Sequence, residues 1–500
     1  MFRSSRDNSL SCPRVGGALA VLASALAAAC VTFPRAPDEG GSPWISVETS
    51  HFALATDMEK APAEDLARML EDTWTAMEYA LESFPGGALE DVAGAEPVLV
   101  IALKNDRERE AVHKQLGGIF SRQPLLPPAV SIGDISANRG AEVLQHELAH
   151  ALLSKRLPRV PRWLNEGIAT YLETAELDRN RQGVAWGIWS EHDMRTMREY
   201  GAHRASVDAL FDGERWKSSS GTYALEMEAG LLVHMLVNRY PGQLGCYLKG
   251  LATDLDPKAA MACFPNRTRW TYEVKDYDYD APTAGKRASV AFPNVRVSTA
   301  TLGDGRVHAV LAMLDYMTVS FVEPLFQGDR FERAQRHLVR ALEIDPAEKL
   351  AILLTLTRTD PSPARRAELA KRLVERHPNH WATWVAYADT PGLPAAEQFP
   401  AIDRAWALAP GRAEVISFAA SRAFVESRWS EARALAIKAW LGGLDGDENR
   451  TLVYAALVQL GTCAEAESWL PPPKDRKAFL ARVARLQKEM NAPPALCPAP

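Results

Sequence analysis

The sequence predicts an α+β domain across its first half and an all-α array of helical repeats across its second. Three observations carry this. Short apolar runs with strand character, at 44–57 and 97–103, alternate with segments of helical period. Strand signals give out after about residue 305. Beyond that point Pro346, Pro378 and Pro410 recur at intervals of 32 residues, each behind an amphipathic helix.

Composition is compatible with this plan. Five hundred residues suffice for several cores, and 47% hydrophobic with 24% charged residues is the make-up of an ordered globular chain. A net charge of -6 offers little to nucleic acid or to an acidic lipid surface, so no nucleic-acid partner is expected. No stretch of the body is long and apolar enough to span a bilayer.

Residues 1–30 read as a targeting segment. Arg3, Arg6 and Arg14 make a basic start, and Gly16 to Ala29 is an unbroken run of small and apolar residues, short for a span and suited to a secretory signal. The run ends Leu26-Ala27-Ala28-Ala29-Cys30, which resembles a bacterial lipobox with Ala27 where the usual leucine would stand. The resemblance implies lipidation at Cys30, so that contact with the membrane is by lipid anchor only. Cleavage near Ala29 without lipid is the alternative. Val31 follows in place of Asp, so the inner-membrane retention signal is missing, and the expected location is the periplasm or outer membrane of a bacterial cell. Residues 31–43, rich in Pro and Gly, read as a tether.

The first domain is expected over 44–275. WISVETSHFALATD alternates as a strand or hairpin, and Leu66, Leu70, Trp74, Met77 and Leu81 mark a helix over 62–81. PVLVIAL, 97–103, reads as a buried strand, 107–116 as a helix, and Gly117-Gly118 as the turn behind it. Ala129 to Ile132 reads as a further strand or as a loop with an apolar plug. His51 and His113 have no partner at ligand spacing and read as surface or packing residues. Further on, 206–211 is a short helix and 222–240 a long apolar one, with His234 on its apolar face as a buried structural residue.

The chemistry is concentrated between these strands and the long helix, in HELAHALLSKRLPRVPRWLNE, 146–166. His146 and His150 are four apart, so on a helix both imidazoles leave one face, about 40° from each other. That suits two nitrogens sharing one tetrahedral metal ion, with Glu147 beside them as a proton acceptor. Pro158 and Pro161 end this helix and start another, which carries Glu166 as a third donor. Two antiparallel helices joined by a short turn bring Glu166 against the histidines. Glu173, two turns beyond Glu166, either hydrogen-bonds a ligand histidine or is solvated.

Here the chain resembles the gluzincin metallopeptidases, in which HExxH is followed by a glutamate ligand on the next helix; WLNEGIATYLE is close to that glutamate helix. Fifteen residues separate His150 from Glu166, a shorter spacing than in the large aminopeptidases of the group, and no GxMEN-like segment is present. The nearer likeness is to the bacterial peptidase MA-like proteins, a compact gluzincin core often joined to helical repeats. The resemblance implies a zincin-like domain with a small N-terminal sheet, one Zn2+ per chain held by His146, His150 and Glu166, and Glu147 as general base. It implies that the strand at 129–132 forms the sheet edge above the metal, where an extended peptide can add. Tyr223 stands where relatives often carry a residue that stabilises the oxyanion, or it simply packs. An endopeptidase acting on a protein or peptide substrate is the implied activity.

Four cysteines remain beyond Cys30, and an oxidising compartment permits two disulfides among three pairings, of which Cys246–Cys263 with Cys463–Cys497 is the most local. Residues 276–305 lose helical period and read as a connection with one or two strands. The repeats, 306–490, resemble tetratricopeptide repeats; Ala432, Ala439 and Ala466 continue their small-residue pattern, and Trp381 and Trp384 are packing aromatics. Such an array can hold a protein partner. Residues 491–500 read as a mobile tail. Two other functions fit: a non-catalytic envelope scaffold working through the repeats, and a zinc amidohydrolase acting on non-peptide envelope material.

Overall fold

A computed structural model of the chain describes residues 33–84, 96–113, 118–133, 140–178, 180, 182–189, 207–211, 216, 222–253, 259–277, 285–319, 324–490, 492–493 and 495–497. The targeting segment and Cys30 lie outside them. The protein is α+β, with a mixed sheet, a second small sheet and a helical C-terminal region. Among the described residues no helix is long and apolar enough to cross a membrane.

The chain enters as a hairpin, β1 (Ile45–Glu48) and β2 (Phe52–Thr56), paired antiparallel. Helix α1 (Lys60–Glu82) then crosses over to β3 (Val98–Ala102), which lies parallel to β2. After α2 (Asp106–His113) come β4 (Gly118–Ser121) and β5 (Ala129–Ile132). β5 inserts parallel to β3, and β4 folds back antiparallel onto β5 as the outermost strand. The sheet edge is therefore β4, not the strand at 129–132, which is interior. Gly118, expected in a turn, begins the edge strand, because the pairing of Gly118 with Ile132 is a non-local contact that a glycine pair does not announce.

The apolar run at β3 is buried on both faces, as a central strand's should be. Val98, Val100 and Ala102 face one way, into a core with Leu66, Leu70, Trp74 and Met77 of α1. Leu99 and Ile101 face the other way, into a second core shared with Val307, Val310, Leu311 and Leu314. Those four belong to α9 (Asp304–Thr318), the first helix of the C-terminal array. The array thus covers the far face of the sheet.

The first core also takes the elements that follow β5: α3 (Gly140–Arg156), α4 (Arg162–Leu172), the strands β6 (Glu176–Asp178) and β7 (Gly183–Trp186), then α5 (Val207–Phe211), α6 (Thr222–Arg239), α7 (Pro241–Thr253) and α8 (Arg267–Tyr277). The expected connection supplies two strands: β8 (Lys286–Ser289) pairs with β7, and β9 (Ser298–Thr301) pairs with β1 to close the large sheet's other edge.

The array continues with α10 (Pro324–Ile344), α11 (Lys349–Arg358), α12 (Pro363–Arg376), α13 (Trp381–Ala388), α14 (Ala395–Leu408), α15 (Ala413–Val425), α16 (Trp429–Leu441), α17 (Asp447–Gln459), α18 (Cys463–Ser468) and α19 (Arg476–Glu489). Pro346, Pro378 and Pro410 each sit in the short link behind α10, α12 and α14, where proline cannot continue a helix. Consecutive helices pack together from α9 to α18, and several alternate ones touch as well, the contact pattern of stacked helical hairpins. Ala432, Ala439 and Ala466 are buried at these contacts. Trp381 is buried and its indole donates to Glu96; Trp384 donates to the carbonyl of Pro378.

Two expected mobile segments are tied down where they are described. In 33–43 the Phe33 ring lies 3.6 Å from the Arg333 guanidinium and Ala36 is fully buried. At the other end Cys497 is bonded to Cys463, and Leu496 donates to the Val458 carbonyl. Pro and Gly content signals an irregular backbone, and irregular is not the same as undocked. The other disulfide joins Cys246 and Cys263, so both bridges follow the local pairing.

Candidate metal centre

Helix α3 ends at Arg156 and α4 begins at Arg162, with Pro158 and Pro161 in the link. The reversal is short because Leu157 and Val160 close it with backbone bonds to Leu153 and Leu157. Leu148, Ala149, Leu152 and Leu153 bury one side of α3, which leaves His146 and His150 facing α4. Their rings lie 4.6 Å apart and nearly perpendicular.

Glu166 meets them from α4. Its Oε2 is 3.5 Å from Nε2 of His146 and 3.3 Å from Nε2 of His150, and one donor atom from each of the three residues lies within 4.8 Å of the others. These are residues that could hold a metal ion. Glu173, just past the end of α4, sets its Oε2 2.7 Å from Nδ1 of His146. A carboxylate only accepts, so Nδ1 carries a proton, and Nε2 is the nitrogen turned toward Glu166 and the candidate ion. Burial works against a charged His146, but the hydrogen bonds its ring nitrogens donate to Glu166 and Glu173 outweigh it and hold the imidazole's pKa well above its usual value. Burial likewise opposes ionised Glu166, and the two imidazoles hold its carboxyl far below the usual range.

What fixes α4 is α6. A Cβ at Gly167 would lie 2.6 Å from the Ala229 carbonyl oxygen, and one at Gly230 the same distance from the Thr170 side chain, so the two helices approach backbone to backbone. That contact sits one residue from Glu166. It also brings Glu226 of α6 toward the centre, where burial first and the Glu166 charge second raise its carboxyl pKa. Arg162 lies on the other flank. Its Nε is 3.5 Å from Oε1 of Glu166, and its guanidinium caps the Trp216 ring while donating to that residue's carbonyl.

Glu147 points toward the sheet edge. A Cβ on Gly118 would fall 2.8 Å from Glu147 Cγ, so the glycine of β4 makes the room this side chain occupies. Two residues along, Phe120 stacks over His150. The centre therefore lies between α3, α4, α6 and the edge strand. Glu147, Glu166, Glu173 and Glu226 gather round two imidazoles and one guanidinium, an excess of negative charge that a divalent cation would balance.

Tyr223 falls in the first turn of α6, its side chain outside the described residues, as is that of His113. His51 is a packing residue: it pairs with Glu71 and stacks on Trp74. His234 is fully buried between Tyr277 and the Gly187 carbonyl, and burial takes its pKa down to about 4. Sequence reasoning missed Glu226, Gly118 and Phe120. Only Glu226 left a trace, as an acidic residue in the otherwise apolar run TYALEMEAGLL.

Residues 141–254 match the family described as "Protein of unknown function (DUF1570)", a stretch that contains every donor of the centre together with Glu173 and Glu226. No curated protein matches the chain.

Proposed function

We propose that the chain is a zinc-dependent hydrolase of the gluzincin type, and that it acts on peptide bonds as an endopeptidase. The observation that carries this is the convergence of His146, His150 and Glu166 with a second acidic residue, Glu147, between them and the sheet edge. The donor set suits the ion: two imidazoles and one carboxylate leave one position of a tetrahedron open. Zinc bound there supplies Lewis acidity.

The chain's own groups divide the remaining work. Glu173 orients His146. Arg162 and the contact between α4 and α6 hold Glu166. Glu147 takes a proton from the attacking water and returns it to the leaving amine. The outer edge of β4, which pairs with no strand among the described residues, suits an extended peptide, which would add as a further antiparallel strand and run past the metal. Zinc binding alone has no use for Glu147, which favours catalysis over a purely structural ion. Tyr223, at the start of α6, is proposed to steady the oxyanion. Export, with lipidation at Cys30, would place the site outside the cytoplasmic membrane, where the two disulfides are chemically at home.

A second reading rests on the array. A groove of about 430 Å³ lined by Phe399, Phe418, Arg422, Arg482 and Met490 gives the helices a surface of their own, as a tetratricopeptide-like scaffold holding a protein partner would need. The two readings part on one experiment. The zinc-loaded chain is incubated with an unfolded protein and, in parallel, with envelope material, and the products are mapped by mass spectrometry. Internal cuts that vanish in Glu147→Gln support the endopeptidase. Cuts only at non-peptide amides of envelope material would move the assignment to an amidohydrolase, and no cleavage of either kind would leave the scaffold.

A further inference from the structure

A second cluster of metal-ligating side chains, sharing no residue with the first, lies where the N-terminal segment docks on the helical array. Residues Pro37–Glu39 form a single helical turn, closed by Gly40 in the left-handed conformation, against the hairpin of α9 and α10. His308 of α9 is fully buried there and His337 of α10 nearly so. Their Nδ1 atoms face each other at 2.7 Å. On the far side of His308, Nε2 lies 2.9 Å from Oδ1 of Asp38, whose other oxygen accepts from Arg340 at 3.0 Å.

This repeats the construction at His146. Asp38 accepts the Nε2 proton of His308, just as Glu173 accepts the Nδ1 proton of His146, and in each case the remaining nitrogen is aimed at a partner donor. One donor atom from each of Glu39, His308 and His337 lies within 4.8 Å of the others, the same two-imidazole, one-carboxylate set as in the first centre. Glu39 is exposed, so the cluster opens to solvent on that side.

We propose that His308, His337 and Glu39 form a second site for a divalent cation of the zinc class, which fastens the N-terminal segment to the first hairpin of the array. Two nitrogens on a tetrahedral ion stand about 3.3 Å apart, so loading requires the imidazoles to part by roughly half an ångström. The ion takes the place of the proton shared between the two Nδ1 atoms, and that proton passes to Nε2 of His337, so both imidazoles remain neutral ligands. Asp38 and Arg340 orient the ligands without touching the ion. The role is structural: the site joins residues some 270 positions apart in sequence, immediately after the segment that would carry the lipid.

The test uses the full chain with the first centre removed, His146→Ala/His150→Ala, loaded with zinc, washed and analysed for metal. About one zinc per chain is expected in this double variant, with a thermal midpoint that falls on chelation. Adding His337→Gln should abolish that zinc. Adding Glu39→Gln, a change at an exposed position that leaves the core intact, should weaken its affinity at least tenfold. Zinc that is absent from the folded double variant, or undiminished by either further substitution, overturns the assignment and leaves the two histidines as a proton-sharing pair.

Discussion

The Nδ1 atom of His146 lies 2.7 Å from Oε2 of Glu173, and the two residues sit on opposite sides of the turn that joins α3 to α4. The contact does two things together. It fixes the imidazole's tautomer, and it pins the end of the glutamate helix against the histidine helix. Glu173→Gln keeps a hydrogen bond but gives up the negative charge. It is expected to weaken zinc binding by about 10- to 100-fold while leaving the fold unchanged, as read by competition with a chelator and by circular dichroism.

Gly167 sets the position of Glu166 through the backbone. Gly167→Ala would drive a Cβ to within 2.6 Å of the Ala229 carbonyl oxygen, which cannot rotate away as a side chain could. A cost of about 1–3 kcal/mol in denaturant unfolding is expected, with faster loss of zinc, because α4 must tilt to relieve the clash. Gly242, which has open space around it, is the control: Gly242→Ala should leave zinc binding unchanged.

His234 predicts an acid limb that does not depend on the metal. Its pKa is about 4 in the folded protein against 6.5 when free, since burial excludes the charged form. Between those values the unfolded chain binds the extra proton, so stability falls as pH drops from about 6.5 toward 4 and levels off below. The full effect is at most about 3 kcal/mol. His234→Gln should flatten this part of the curve in urea titrations at pH 4.5, 5.5 and 6.5, at the expense of some stability at neutral pH.

The disulfides close loops of 17 and 34 residues. Loop entropy gives about 3 and about 4 kcal/mol respectively, so reduction should lower the thermal midpoint clearly. The second bridge has a local signature too. Cys497→Ser should expose the C-terminal segment to carboxypeptidase trimming and leave zinc content unaffected.

Some of this was legible in the residues and some was not. His146, Glu147 and His150 share one helix, so their geometry follows from helical period alone. The prolines at 158 and 161 announced the reversal, and the 32-residue interval of Pro346, Pro378 and Pro410 announced the array. Other features depend on pairings between distant segments. Nothing local in Gly118 says that it begins the edge strand and yields its side-chain space to Glu147. Nothing in 33–43 says that Phe33 and Asp38 dock on helices 300 residues away. Glu226 reaches the centre because Gly167 and Gly230 let two helices touch, and a glycine in a helix is read from sequence as a cost rather than a contact.

The most direct test of the central claim is zinc content measured beside peptide hydrolysis, on the same samples of the wild type, His150→Ala and Glu147→Gln. The wild type and Glu147→Gln are expected to hold equal zinc and His150→Ala about one ion fewer, with cleavage by Glu147→Gln down from the wild type by at least about 100-fold. Hydrolysis by Glu147→Gln at the wild-type rate, or undiminished zinc in His150→Ala, would contradict the claim.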